Sequence, residues 1–342
     1  MKFFESVYSD KKVALDALDK KILIELSKNA RLSHSAIAKR IGANRDTVNY
    51  RITNLKKSGV VQAYRTIVNI TKFNYINFHV FLQLKNPTKS ILTEFISKLK
   101  TYTFLRAIIQ FNGKYDLEIA LVAKNIYECD EILTRIFNDC QDYLQNYAVL
   151  FLTKTLAANV FPKRFFEKGD KPEKKKEGAA IKLDQTDIAI LEILSEHADT
   201  PIFKIAEEIK ISTDTVTYRV KRLQESDFIL GYVPAINYNL INQSVHAILL
   251  SIPTMTEKDV GTIQEFLKTN KDILWAVKTI GRYNLVIYLC TETMEDFIKT
   301  TEQLRTYIPN KIKNYEILLN VEEYKYTYLP KGLIQLNKEE KI

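Results

Sequence analysis

The sequence predicts an α+β chain in which one structural unit is used twice. Three observations carry that prediction. First, a shift of 168 positions lays Leu15–Lys163 on Leu183–Lys331 without a gap: Leu15-Asp16 on Leu183-Asp184, Asp19 on Asp187, Ile37-Ala38 on Ile205-Ala206, Thr47-Val48 on Thr215-Val216, Gly113 on Gly281, Tyr115 on Tyr283 and Pro162-Lys163 on Pro330-Lys331. Second, each copy opens with apolar residues at helical spacing in three short runs. Third, each copy continues with β-rich runs alternating with longer amphipathic ones. A repeat of about 150 residues is too long for a solenoid unit and has the size of one or two small domains.

In the first copy Asp16 can cap a helix whose Leu18, Ile22, Leu23 and Leu26 recur at helical spacing. Ser33 begins a second helix with Ile37, Ala38 and Ile41 inward, and Gly42-Ala43 makes the turn. Asn44 caps a third helix, which places Val48, Ile52 and Leu55 inside and ends at Gly59. The second copy repeats the plan with Asp184, then Thr200-Pro201 as cap and first helical residue, then Ser212. Val60–Tyr64 and Ile67–Ile70 read as two short strands of a wing. Three helices, a tight turn before the third and a following hairpin make a winged helix-turn-helix pattern.

Next come a strand at His79–Leu84, an amphipathic helix at Thr88–Lys100, a hairpin of Leu105–Phe111 and Asp116–Val122 turning at Asn112-Gly113-Lys114, a helix at Ile126–Cys140 and a strand at Ala148–Thr155. The second copy gives Val245–Ile252, Thr256–Asn270, Ile273–Thr279, Leu285–Thr291, Met294–Tyr307 and Tyr315–Tyr324. That order, βαββαβ, is the ferredoxin-like plan. Two winged helix-turn-helix domains and two ferredoxin-like domains in tandem are therefore expected. Their boundaries are an N-terminal extension at 1–14, the first head at 15–70, its effector domain at 71–166, a charged linker at 167–182, the second head at 183–238, its effector domain at 239–331 and a tail at 332–342.

The bulk composition narrows function. Hydrophobic residues are 46% and charged residues 27% of 342, an ordinary globular balance. Met1–Lys12 has no apolar run, so no signal peptide is expected, and no stretch approaches the ~20 apolar residues of a membrane helix. Cys129, Cys140 and Cys290 show no C-x-x-C spacing and read as buried, reduced thiols of a cytoplasmic protein. No Ser/His/Asp set, phosphate-cradling glycine loop or metal-ligand cluster stands out, so no catalytic residue, metal or cofactor is predicted. The net charge of +9 is uneven: Leu15–Arg65 carries 11 basic and 4 acidic residues, and the matching Leu183–Val233 carries 5 and 10. One head is built for a polyanion and the other is not.

The third helix of each head is the candidate reader of double-stranded DNA. Its exposed stripe in copy one would hold Asn44, Arg45, Thr47, Asn49, Tyr50, Arg51, Thr53, Lys56 and Lys57. Arginine can grip two acceptors on guanine and asparagine can match adenine, whereas lysine and hydroxyl groups suit phosphate. Copy two offers Thr213, Thr217, Tyr218, Arg219, Lys221 and Arg222, with Glu207, Glu208, Glu225 and Asp227 nearby, and is expected to bind more weakly.

These residues resemble the Lrp/AsnC family of transcriptional regulators. The family's opening Leu-Asp-x-x-Asp followed by Ile-Leu matches Leu15-Asp16, Asp19 and Ile22-Leu23, and again Leu183-Asp184, Asp187 and Ile190-Leu191. Its third-helix Thr-Val-x-x-Arg matches Thr47-Val48 with Arg51, and Thr215-Val216 with Arg219. Its Gly-x-Tyr-Asp turn matches Gly113, Tyr115 and Asp116, and copy two departs at one position with Gly281, Tyr283 and Asn284. The resemblance implies effector domains paired sheet to sheet, here within one chain as a pseudo-dimer, with possible further homo-oligomers. It also implies a small effector such as an amino acid near the turns, at Gly113, Tyr115 and Asp116 and at Gly281, Tyr283 and Asn284. Loss of the carboxylate at Asn284 removes the expected partner of an α-amino group. A local reading stands beside this one: glycine permits the turn, and Asp116 bonds nearby backbone.

Two rivals follow from the same residues. Some relatives of the family are sirohaem decarboxylases, also two-unit assemblies with degenerate heads. That chemistry calls for histidine near the hairpins, and His34, His79, His197 and His246 all lie elsewhere. A protein-interaction module is the other rival, with the acidic head occupying a basic partner.

Overall fold

The computed structural model describes residues 12–166 and 181–334. The expectations for residues 1–11, for most of the linker and for the end of the tail fall outside the described residues. In chain order the first copy holds α1 (Ala17–Lys28), α2 (His34–Ile41), α3 (Arg45–Lys57), β1 (Val61–Val68), β2 (Ile76–Leu84), α4 (Lys89–Thr101), β3 (Leu105–Asn112), β4 (Leu117–Ala123), α5 (Ile126–Cys140) and β5 (Leu144–Ala158). The second holds α6 (Gln185–Glu196), α7 (Ile202–Ile209), α8 (Thr213–Glu225), β6 (Ile229–Ile236), β7 (Ser244–Ser251), α9 (Glu257–Thr269), β8 (Ile273–Gly281), β9 (Leu285–Thr291), α10 (Met294–Tyr307) and β10 (Asn314–Tyr326). They sort into two compact units, one made of both heads and one of both effector domains.

In the head unit, α1 starts at a capping box. Asp16 accepts the N–H groups of Leu18 and Asp19, and the Asp19 carboxylate accepts the N–H of Asp16. Asp184 and Asp187 repeat the box on α6. Gly42 ends α2 at φ 68°, and Lys210 takes the matching left-handed position in copy two at φ 58°, at a cost of about 1 kcal/mol. Copy two departs from expectation at its second helix. Pro201 is the N-cap rather than the first helical residue, and the Thr200 hydroxyl donates to His197 O at 2.8 Å instead of capping.

The wings also differ from expectation. Each head contributes one continuous strand, not a hairpin, and β1 pairs antiparallel with β6 of the other head, Tyr64 opposite Pro234 and Thr66 opposite Tyr232. A lone strand would leave a row of backbone groups unpaired, and the sister copy supplies the missing partner. The joint is nearly two-fold: Ala30 N–H donates to Tyr232 O at 2.9 Å, and Ala198 N–H donates to Tyr64 O at 3.2 Å.

The effector unit is a closed eight-stranded barrel in the order β10-β3-β4-β2-β5-β8-β9-β7. Each copy supplies a four-stranded half-barrel with two helices outside. In copy one the outer core includes Phe78, Leu82, Phe95, Leu99, Ile119 and Ile136, with Cys129 and Cys140 on the shared face that their spacing predicts. Alternation along the strands turns every other residue inward, and Phe81, Phe111, Leu150, Leu249, Val277 and Leu318 fill the lumen between the copies. β5 runs beyond its expected Ala148–Thr155 because Leu150–Ala158 pairs with Trp275–Gly281 across the copy boundary. β10 likewise runs on to pair with β3. The effector domains therefore pair within the chain, as a covalent pseudo-dimer.

Candidate nucleic-acid interface

α3 is fixed by its apolar stripe, with Val48, Ile52 and Leu55 buried, and by Asn44, whose side chain accepts Asp46 N–H at 2.8 Å. Asn44 is thus a cap, with its oxygen already engaged. Arg45, Thr47, Asn49, Thr53 and Lys57 are exposed, as is Tyr50 at 65%. Thr53 returns its hydroxyl to Asn49 O at 2.8 Å. Lys56 reaches Asp199 of the other head at 3.2 Å and lies 4.4 Å over the Tyr64 ring, so it helps join the heads.

Arg51, a candidate DNA contact, is engaged within its own head. Its guanidinium meets Asp16 at 2.6 Å and Asp19 at 3.3 Å, which pins α3 to the first turn of α1. The Asp19 N–H, joined by Arg51, holds the Asp16 carboxyl below its usual range against the opposing effect of desolvation. Arg219 makes the same clasp with Asp184 and, at 3.1 Å, with Asp187. Arg222 donates to Asp187 and to Lys182 O, both at 2.9 Å. The invariant spacing of Thr-Val-x-x-Arg in both copies therefore positions the third helix on the first.

Of the copy-two candidates on α8, Thr213, Thr217, Tyr218 and Lys221 are exposed. Thr217 bonds Thr213 O at 2.9 Å, and Lys221 faces Glu225 at 3.6 Å. At equivalent positions the surface reverses its sign: Lys39 becomes Glu207, Arg40 becomes Glu208 and Lys57 becomes Glu225, and Arg45 becomes Thr213. Tyr218 keeps the 65% exposure of Tyr50. Sequence reasoning missed Arg31, which donates to Thr200 O at 2.9 Å and ties the heads together. Its partner is a backbone carbonyl 169 positions away, and no local pattern signals it.

The six effector-turn residues are built into turn and core. A Cβ on Gly113, at φ 154°, would lie 2.8 Å from Ile317 O, so glycine lets the copy-one hairpin touch β10. Gly281, at φ 145°, meets Val149 O in the reciprocal contact. Tyr115 and Tyr283 are fully buried, with their hydroxyls 3.3 Å apart. Asp116 accepts the Leu84 N–H at 2.7 Å, and burial still raises its pKa. Asn284 accepts the Ile252 N–H in the same way at 2.9 Å and also donates to Ile252 O. The amide therefore does the carboxylate's local work.

The two barrel histidines are unlike each other. His79 is in the lumen with Nδ1 2.5 Å from Glu118, and His246 packs on Phe297 on the helix side of its sheet.

Comparison with known proteins agrees with the helix-turn-helix geometry. A winged helix-turn-helix DNA-binding family model matches residues 15–62 and 183–229, one match per head. The leucine-responsive regulatory protein of Rhizobium meliloti is 28% identical over 116 residues, covering 34% of this chain and 74% of that protein. The HTH-type transcriptional regulator FL11 of Pyrococcus furiosus is 30% identical over 122 residues, 36% of this chain and 80% of its own length. Each such relative spans about one repeat. The crystal structure of the siroheme decarboxylase NirDL covers 94% of this chain and 97% of its own with a TM-score of 0.61, at 15% identity. That likeness is one of fold and extends over both copies. Taken with the paired heads and the barrel, these matches place the chain in the Lrp/AsnC family of transcriptional regulators, as a tandem duplication of the family's unit.

Proposed function

We propose that this DNA-binding regulator grips duplex DNA mainly through the first head, with Arg45, Thr47, Asn49, Tyr50 and Lys57 as the contact set, and that the second head adds little. The observation that carries the proposal is the reversal of charge between equivalent exposed positions of heads locked into one body. Each phosphate contact adds about 0.9 to the slope of log affinity against log salt. In a titration from 50 to 200 mM salt (on the order of physiological), Lys57→Ala should lower the slope by about 1, and Lys221→Ala should leave it unchanged. Equal effects of both variants would refute the unequal grip.

The proposal includes response to a small effector such as an amino acid at the Gly-x-Tyr-Asp turns. Retention of Gly113, Tyr115 and Asp116 supports it. A thermal-shift panel of amino acids should find one that stabilises the protein and loses its effect in Asp116→Asn; no shift with any member removes this part. The proposal also holds that the chain is not an enzyme and works in the cytoplasm, where its buried free cysteines remain reduced. The fold shared with NirDL supports a second reading, binding of an iron tetrapyrrole. A Soret shift on titration with sirohaem would favour it.

A further inference from the structure

Among the described residues, the barrel lumen carries a polar cluster that lies to one side of its pseudo-two-fold axis. Glu118 is fully buried on β4 and accepts the hydroxyl of Tyr288 from β9 of the other copy. His79 Nδ1 is 2.5 Å from the same carboxylate, and Trp275 of the other copy stacks on the His79 ring, centroids 5.4 Å apart and planes 21° apart. Burial, the nearby Glu118 charge and its hydrogen bond all raise the Tyr288 pKa, so the phenol stays protonated as donor.

The symmetry-related place contains none of this. A shift of 168 positions puts Val286 at the place of Glu118, Ala120 at that of Tyr288, Ala247 at that of His79 and Ala107 at that of Trp275. Val286, Ala120, Ala247 and Ala107 are all buried. A polar quartet on one side thus faces a small apolar quartet on the other, and each quartet takes two residues from each copy.

We propose that this one-sided cluster selects the partner of each half-barrel, so that a copy-one sheet accepts a copy-two sheet and rejects another copy-one sheet. In a pair of two copy-one sheets, each Glu118 would face Ala120 and lose its hydroxyl donor, and each His79 ring would lose its stacked indole. In a pair of two copy-two sheets, each Tyr288 hydroxyl would lie buried against Val286. Each like pair loses these cross-copy contacts twice, and the unlike pair keeps the Tyr288 hydrogen bond and the Trp275 stack. Removing one partner of a buried charged hydrogen bond is costly, whereas replacing both by apolar groups of similar volume is close to neutral. The cluster therefore adds little net stability and much discrimination, which is how buried polar groups act where they set pairing.

The test uses the full chain with a protease site placed in the 167–182 segment, cut after folding. Two preparations with different mass tags are mixed, and native mass spectrometry counts the fragment pairs after exchange. The wild-type protein should give unlike pairs, with like pairs on the order of a hundredfold below their statistical share. Glu118→Met with Tyr288→Phe keeps the volume and should let like pairs approach that share. Tyr288→Phe alone should retain its fold and lose stability in urea unfolding, because Glu118 stays buried without its hydroxyl donor. Like pairs in the cut wild-type protein, or a double variant as exclusive as the wild type, would overturn the proposal. A Tyr288→Phe protein with wild-type stability would overturn its energetic basis.

Discussion

Arg45 and Arg51 are six residues apart on α3 and face different tasks. Arg45 is exposed at the start of the helix, where its fork can reach a base edge or a phosphate. Arg51 is tied to the capping carboxylates of α1. Arg45→Ala should weaken duplex binding without moving the thermal midpoint, and Arg51→Ala should lower the midpoint because it frees α3 and leaves Asp19 facing no cation. Binding isotherms and thermal melts on the same two proteins separate the roles. His246 offers a prediction about pH. Its Nδ1 has no hydrogen-bond partner among the described residues, and burial pushes its pKa down to about 4 from the usual 6.5. A folded pKa below the unfolded one means that the unfolded chain binds the proton more readily. The stability held above pH 6.5 is therefore lost as pH falls towards 4, by about 3 kcal/mol in all. The sister position carries Phe78. Urea unfolding of His246→Phe between pH 7 and 4 should show a shallower decline; an unchanged slope would mean that other groups carry the acid sensitivity.

At the scale of elements, the hairpin turns show why glycine is fixed where it is. Gly113→Ala would place a methyl group 2.8 Å from Ile317 O and 2.9 Å from Leu318 Cδ2 at a positive φ, and should cost about 2–4 kcal/mol in urea unfolding. Gly261→Ala in α9, with nothing within 4 Å, should instead stabilise by about 0.5–1 kcal/mol. Elements with local signals were readable from the chain alone. α5 and α10 occupy their expected residues because a cap, an apolar stripe and a β-rich neighbour mark both ends of each. The wing was misread because Val61–Val68 carries no mark of a partner some 170 positions away, and two short β-prone runs look alike whether they fold on each other or on another head. The Arg51 clasp was hidden for a related reason. A basic residue on a helix with reader spacing looks the same whether its partner is a phosphate or Asp16. The Glu118–Tyr288 contact spans 170 positions and joins two strands that each show ordinary alternation, so only the folded barrel brings it out.

At the scale of the molecule, the duplication has freed the two heads to diverge while β1 and β6 keep them in one fixed body. Symmetric dimers read palindromes because protein and operator share a two-fold axis. Here that axis survives in the backbone and is lost in the charge. The expected footprint is a strongly protected half-site under the first head with weak protection where the second head lies. The sister copy itself supplies the residues to reverse this. Glu207→Lys, Glu208→Arg, Thr213→Arg and Glu225→Lys write the copy-one residues Lys39, Arg40, Arg45 and Lys57 onto the second head. None of the four positions is buried, and Val216, Val220 and Leu223, which seat α8, are untouched. The grafted protein should keep its stability, protect both half-sites of a palindrome built from the selected half-site, and steepen the salt slope by about 2–4, one contact for each new cation that meets a phosphate. Circular-permutation-free gel shifts on a half-site and on the palindrome, read with the salt series, distinguish the outcomes. A steeper slope with one protected half-site would assign the new charges to nonspecific attraction. An unchanged slope would mean that the second head never reaches the duplex, and asymmetry of shape rather than of charge would then govern how this chain meets DNA.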